Sequence, residues 1–142
     1  ARVRPAEGSW CANEIAGHLI EAERRGFNER IRTILAEHEP LLVTWDQPAV
    51  AAARNDQAKE TSDLLTELAE LRADSLALVR GLRRDDLERA GIHPKVGRLT
   101  VQDLVHEWVY HDREHLKQLF EASRTFAWDG MGGARRFTEP EV

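Results

Sequence analysis

Residues 100–119 read TVQDLVHEWVYHDREHLKQL and carry the clearest helix signal in the chain. Thr100 is a suitable N-cap, and Asp103, three residues later, gives a pattern close to a capping box. The side chains of one helical face then recur at intervals of three and four residues; they are Leu104, Trp108, His111, His115 and Leu119. The pattern predicts a helix that runs to about Arg124 and carries two histidines on its buried face.

Two further long helices are predicted upstream, over about residues 11–37 and 58–82. The apolar positions of the first follow helical spacing; they are Cys11, Ile15, His18, Leu19, Ala22, Phe27, Ile31, Ile34 and Leu35. Pro40 ends this helix, because proline cannot continue one. A long loop follows over residues 38–57, with a helical piece around Ala49–Arg54. No strand is expected, and residues 125–142 are expected to form an irregular tail.

Composition limits the functional classes. The chain has 142 residues, 42% of them hydrophobic, and a net charge of −5. This predicts one all-α domain over residues 1–142, with its core at about 8–124. Acids and bases are mixed, so no basic face suggests nucleic acid. No apolar run reaches the roughly 18–20 residues of a membrane helix. A single cysteine, Cys11, excludes an internal disulfide and fits a cytoplasmic location.

Three histidines are predicted to face the core. His111 and His115 are four residues apart and therefore share a helical face. His18 lies on the apolar face of the first helix. Burying an unpaired imidazole costs free energy, and a shared divalent metal would satisfy one nitrogen of each ring. Three histidines would leave open positions, as catalytic sites do. The alternative, that they are hydrogen-bonded core residues, stays open.

Other motifs narrow the kind of metal site. A metalloprotease helix needs Glu directly after the first histidine of the pair, and Asp112 stands there. Ferritin-like di-iron bundles need two Glu-x-x-His motifs, which are absent from the sequence. Zinc, nickel and iron all accept imidazole, so spacing does not choose among them. Asp46, in the long loop, or a bound water is the candidate base, and Gln118 is a candidate hydrogen-bond donor beside His115.

Residues 8–19, GSWCANEIAGHL, resemble the W-S-x-x-E-x-x-x-H-L opening of the DinB-like (damage-inducible-protein-like) superfamily. The stretch from His111 to Gln118 resembles that family's signature, and the likeness covers about residues 8–120. It implies an up-down four-helix bundle, often a homodimer, in which His18, His111 and His115 bind one divalent metal ion. Some members of the family are thiol S-transferases that use low-molecular-weight thiols such as bacillithiol or mycothiol.

The sequence departs from the family pattern in two places. The usual first helix precedes the tryptophan motif, and this chain begins just ahead of that motif, so only three long helices are counted. The apolar groove left open would favour association, as a homodimer. Cys11 stands where the family often has Ser or Thr, which weakens the N-cap. Lys117 replaces the acid of relatives fused to sulfoxide synthases, which disfavours that subgroup.

The functional expectation is a divalent-metal-dependent enzyme, such as a thiol S-transferase acting on a small electrophile, with a metal-activated thiol or water. The rival is a non-catalytic, metal-stabilised helical scaffold or stress-linked binding module. The two differ in their coordination shell. A catalytic site keeps an open position beside a pocket, whereas a structural site is closed by a fourth protein ligand.

Overall fold

Three long helical stretches, one short helix and a small hairpin make up the computed structural model, which describes residues 1–138. The first stretch is continuous and consists of α1 (Ala12–Glu21), a π-helical segment (Ala22–Asn28) and α2 (Glu29–Ala36). It is followed by α3 (Gln47–Arg54), α4 (Thr61–Arg80), β1 (Ala90–His93), β2 (Gly97–Thr100) and α5 (Val101–Gly130). Short 3-10 helices cover Asp56–Ala58, Arg84–Glu88 and Gly132–Thr138. The three predicted long helices are thereby confirmed.

The core lies where the first helical stretch packs against α5 and α4. The Phe27 and Trp108 rings stack with centroids 4.9 Å apart and an interplanar angle of 9°. The cluster around this pair also contains the buried side chains of Ile31, Ile34, Leu42, Val101 and Leu104. A second buried cluster, between α1 and α4, is formed by Ala16, Ile20 and Leu64. Burial of this apolar surface fixes which faces of α1 and α5 meet, and it thereby sets the positions of their histidines.

The start of α5 is the predicted one, but its end is not. The Thr100 hydroxyl accepts a hydrogen bond from the Asp103 N–H at 3.0 Å, and the Asp103 carboxylate accepts one from the Thr100 N–H at 2.9 Å. The helix continues to Gly130, six residues beyond the predicted end. Residues 125–129 contain no glycine or proline, so nothing in the local sequence stops the helix earlier. The expectation of an irregular stretch from residue 125 was wrong there.

The absence of strands was also a wrong expectation. β1 and β2 pair antiparallel, from Ala90 opposite Thr100 to His93 opposite Gly97. Gly97 adopts a φ of 80°, which suits the tight connection. The N–H and C=O of Ile92 also bond to the chain at Pro40 and Leu42, at 2.8 Å each. The hairpin therefore depends on contacts distant in sequence, and four-residue strands containing glycine show little alternation.

The helical piece predicted within the long loop is present as α3. The Asp46 carboxylate caps it by accepting a hydrogen bond from the Ala49 N–H at 3.0 Å, and it ends at Asn55 in the left-handed region, with φ 48°. Arg54, at its end, is only 12% exposed and forms ion pairs with Glu21 and Glu67. These contacts hold α3 against α1 and α4. No helix within residues 1–138 has the length and apolar character needed to cross a bilayer.

Candidate metal centre

The three histidines singled out in the sequence meet in the structure. His18 comes from α1, and His111 and His115 come from successive turns of α5. Their ring centroids are 4.4–5.1 Å apart. One nitrogen from each ring lies within 4.8 Å of the other two, and Nε2 of His18 is 3.0 Å from Nε2 of His111. The predicted convergence is therefore present, while the role of the three as metal ligands stays a prediction.

Burial favours the neutral form of His18 and of His111. Burial, together with charge repulsion from the neighbouring His115 and His111, lowers the pKa of His18 to about 4. Burial is also the main cause of the lowered pKa of His111; His115 lowers it as well, whereas Asp112 opposes the change. A neutral imidazole offers a nitrogen lone pair, which is the form that binds a metal ion.

A hydrogen bond orients the third ring. Nδ1 of His115 donates to the Gln118 side-chain oxygen, 2.9 Å away, and this leaves the lone pair on Nε2. Metal-bound histidines commonly use their second nitrogen in this way. The sequence predicted Gln118 as a hydrogen-bond donor beside His115, whereas its side-chain oxygen accepts from that ring. Nδ1 of His111 is buried and has no hydrogen-bond partner within residues 1–138.

The donor set fits a divalent transition metal. Two nitrogens that each lie about 2.1 Å from one ion are roughly 3.0–3.4 Å apart, and the Nε2 atoms of His18 and His111 are 3.0 Å apart. Imidazole donors suit zinc, nickel and iron alike. Among the described residues no carboxylate or thiolate joins the three histidines in the group. Such a site keeps positions free for a small molecule.

Two tryptophans surround the histidines. The Trp10 ring centroid is 4.9 Å from that of His18 and 6.3 Å from that of His115, and Trp45 is 6.4 Å from His18. Trp10 is 38% exposed, so its ring lies at the surface beside the histidines. The sequence feature that could have placed Trp10 beside the histidines is its position in the same motif as His18.

Two cavities adjoin the site. The larger, of about 800 Å³, is lined by all three histidines together with Trp10, Glu114 and Gln118. The smaller, of about 290 Å³, lies on the side of His18 that faces Trp45 and Arg54. The three histidines thus border a space large enough for a small molecule.

An ion-pair network that the sequence did not reveal supports α5 beside His111. Glu23, in the π-helical segment, has a fully buried side chain. It binds Arg72 of α4 at 2.8 Å, and Arg72 also binds Asp112 of α5 at 2.7 Å. The network connects the three long helices at the level of the metal centre. The only signal in the sequence was the acid directly after His111.

The contacts of Asp46 and the burial of Cys11 are those of residues that stabilise the fold. Asp46 is exposed and caps α3; among the described residues its neighbour Gln47, and not Asp46, lines the cavities at His18. Its role as a base stays a prediction. Cys11 is fully buried, and burial raises the pKa of its thiol. Cys11 therefore has the environment of a small buried residue and not that of a reactive thiolate.

The chain is similar to known proteins over most of its length. The sequence model of the DinB superfamily matches residues 1–119. YfiT of Bacillus subtilis is 24% identical over 123 residues, which cover 86% of this chain and 68% of YfiT. YuaE of Bacillus subtilis, an uncharacterized protein, is 25% identical over 134 residues, covering 83% of this chain and 80% of YuaE.

A solved structure has the same fold. It is that of YfiT, described as a probable metal-dependent hydrolase with an unusual four-helix bundle topology. It superposes with a TM-score of 0.80 at 24% sequence identity, covering 89% of this chain and 72% of that one. The likeness shows that the three long helices of this chain have the arrangement found in YfiT.

Proposed function

Because the chain belongs to the DinB superfamily and brings three imidazoles together beside a cavity, we propose that it is a metal-dependent hydrolase of small molecules. The observation that carries the proposal is the convergence of His18, His111 and His115 on a site with free positions. The description of YfiT as a probable metal-dependent hydrolase supports the same activity.

The residues of the site have distinct roles in this proposal. His18, His111 and His115 hold the ion, and Gln118 fixes the tautomer of His115. A divalent ion bound there supplies Lewis acidity, which activates water toward a carbonyl or a similar electrophile. Trp10 and Trp45 exclude bulk solvent from one side of the histidines. The substrate lies in the larger cavity, which is the one that all three histidines line.

Glu114 is the candidate base. It lies between the two α5 histidines in sequence and lines the larger cavity, so its carboxylate can accept a proton from water in that space. Asp46 remains the alternative, although its carboxylate is occupied by the α3 cap. We expect Glu114→Gln to lower kcat about 100-fold or more, as loss of a general base does, and Asp46→Asn to change kcat little. The opposite pattern would assign the base to Asp46.

Metal content is the first test. We expect the purified protein to hold about one divalent ion per chain, and a His111→Ala, His115→Ala double variant to hold none, because a single remaining imidazole binds weakly. His106→Ala is the matched control, since His106 is an exposed histidine on the same helix. If the wild-type protein holds no metal after exposure to zinc, nickel and iron, the proposal is wrong.

Activity is the second test. Chromogenic esters, lactones and amides would be offered to the metal-loaded protein, to the metal-free protein and to the double variant. We expect hydrolysis from the loaded wild type alone. Equal rates from all three preparations would show background chemistry only. A metal-loaded protein that hydrolyses none of these would retain the metal centre but refute the hydrolase assignment for these substrate classes.

Thiol S-transfer is the finer alternative, and the size of the larger cavity favours it. A space of about 800 Å³ can hold a low-molecular-weight thiol together with a second small molecule. In that reaction the thiol sulfur bonds to the electrophilic carbon, the leaving group departs with the bonding electrons, and the thiol proton is released. With 1-chloro-2,4-dinitrobenzene as the electrophile and bacillithiol, mycothiol or cysteine as the thiol, thioether formation that requires the metal would favour transfer over hydrolysis.

A non-catalytic scaffold would use the metal for folding. Structural sites have four protein ligands, whereas only three donors converge within residues 1–138. The core is also formed largely by contacts away from the histidines, such as Phe27 with Trp108. We therefore expect the metal-free protein to stay folded, as judged by circular dichroism. Complete unfolding on chelation would favour the scaffold.

A further inference from the structure

Arg30 is a half-buried cation outside the metal centre. Its Nε–H is buried and has no hydrogen-bond partner within residues 1–138. Its Nη2 makes one long hydrogen bond, 3.4 Å, to the carbonyl oxygen of Val43. A buried donor without a partner loses its solvation and gains nothing in return, and the loss is larger for a charged group. The guanidinium therefore has unused capacity for an acceptor.

Neighbouring arginines differ from Arg30 in this respect. Arg25, one turn earlier, binds the buried Glu21 carboxylate at 2.6 Å. Arg32, two residues later, binds Asp74 at 3.0 Å. Arg30 forms no such ion pair among the described residues, although it has the same chemistry on the same helical stretch.

A cavity of about 160 Å³ adjoins the Arg30 side chain. It lies between the start of α2 and the extended segment before α3, and its lining includes Leu42, Thr44 and Trp45. Trp45 also lines the cavity at His18. A molecule held at Arg30 would therefore contact the same indole ring that borders the metal centre.

The positive charge of Arg30 acts on its surroundings. Burial lowers the pKa of the guanidinium, and the charge of Glu107 on α5 opposes this. Arg30 in turn contributes to the lowered pKa of His93, on β1, whose main cause is burial. Three elements thus meet around a cation whose charge the protein leaves incompletely neutralised.

We propose that this cavity binds a small carboxylate, with the Arg30 guanidinium donating to its two oxygens. Planar two-point contact with a carboxylate is the interaction for which guanidinium geometry is suited. Arg25 and Glu29 also line the cavity. Because Arg25 is already paired with Glu21 and Glu107 acts from α5, a single negative charge fits better than the double charge of a phosphate. The carboxylate belongs either to a free acid or to the acid end of a substrate. The inference rests on the contacts of Arg30 and not on the proposed hydrolase activity.

The test uses the full chain, ¹⁵N-labelled, with sodium acetate as the probe at constant ionic strength. Two signals report on the cavity: the Arg30 Nε–H, assigned by its loss in Arg30→Lys, and the Trp45 indole N–H, assigned by its loss in Trp45→Phe. We expect both to shift saturably with the same dissociation constant. In Arg30→Gln the dissociation constant for acetate, measured from the Trp45 shift, should rise roughly tenfold or more, because a charge-assisted hydrogen bond is lost. Arg32→Gln is the matched control and should bind as the wild type does.

Two results would overturn the proposal: acetate that moves neither signal in the wild type, or an unchanged Trp45 titration in Arg30→Gln. The rest of each spectrum shows whether the variant is folded. A pair of esters then separates the two sources of the carboxylate. If the metal-loaded wild type has a lower KM for 4-nitrophenyl hemisuccinate than for 4-nitrophenyl butyrate, and Arg30→Gln does not, the carboxylate belongs to the substrate. If the wild type has equal KM values for the two esters, the site binds a free acid. Failure of the hydrolase proposal would leave the acetate titration interpretable.

Discussion

Replacing Arg72 with methionine should destabilise the protein strongly and weaken metal binding. Arg72 connects a buried carboxylate, Glu23, to Asp112, the residue after His111. Its Nε is 3.0 and 2.9 Å from the two Glu23 oxygens, and its guanidinium lies 5.8 Å from the centroid of the Trp108 ring. Methionine keeps most of the aliphatic stem and removes the charge.

The magnitude follows from the burial of Glu23. Its side chain is completely inaccessible to solvent, whereas that of Arg72 is 37% exposed. Removing one partner of a buried ion pair costs about 3–5 kcal/mol, since the other charge stays buried and uncompensated. Water can approach from the exposed side of Arg72, so we expect the lower end, about 3 kcal/mol. For a chain of 142 residues this corresponds to a Tm lower by about 10 °C.

A double-mutant cycle in urea denaturation measures the pair itself. Glu23→Gln, Arg72→Met and the double variant are compared at one pH without metal. We expect the double variant to be less destabilised than the sum of the single variants by about 1.5 kcal/mol or more, because it leaves no buried charge. Metal affinity is measured on the same proteins by competition with a chelator. Additive effects, or an Arg72→Met protein as stable as the wild type, would refute the reasoning.

Three further expectations concern the site and its supports. The metal-free protein should lose up to about 3 kcal/mol of stability as the pH falls from 6.5 to about 4, because over that interval His18 takes up a proton in the unfolded state but not in the folded state. Urea denaturation measures the free energy of unfolding at several pH values in this interval. His18→Gln should reduce its dependence on pH. Gln118→Leu should weaken metal binding about 10- to 100-fold while leaving Tm nearly unchanged, because it removes the acceptor that orients His115; unchanged affinity in chelator competition would contradict this. Gly17→Ala should destabilise by more than about 2 kcal/mol, because its Cβ would collide with the buried Asp56 carboxylate; thermal melting near the wild-type Tm would show that Asp56 moves aside.

The sequence was most informative where the spacing of residues along a helix alone determines the direction in which their side chains point. His111 and His115 share a face in any α-helix, and the buried positions of the first helix oriented His18 toward the same core. The residues around the site were less accessible to prediction. The approach of Trp10 to His115 at 6.3 Å and the pairing of Glu23 with Arg72 join parts of the chain far apart in sequence. Such contacts depend on how the helices pack, which a helical pattern within one segment does not specify.

The π-helical segment explains how one helix serves both the core and the metal centre. One face of the first helix is marked by Cys11, Ile15, His18, Ala22, Phe27, Ile31 and Ile34. These positions are three or four residues apart except for Ala22 and Phe27, which are five apart. In a regular α-helix two residues five apart point about 140° away from each other. Phe27 would then leave the core if His18 and Ala22 faced it.

A π-helix, with its i→i+5 hydrogen bonds, brings residues five apart to within roughly 50° of one another. The segment Ala22–Asn28 therefore lets Phe27 stack on Trp108 and contact His111, with centroids 5.5 Å apart, while His18 faces the same histidine from α1. Polar contacts hold this uncommon geometry, including Asn28 with Ser75 of α4 at 3.0 Å. The five-residue interval was visible in the sequence, and its meaning became clear only because both of its ends are buried against α5.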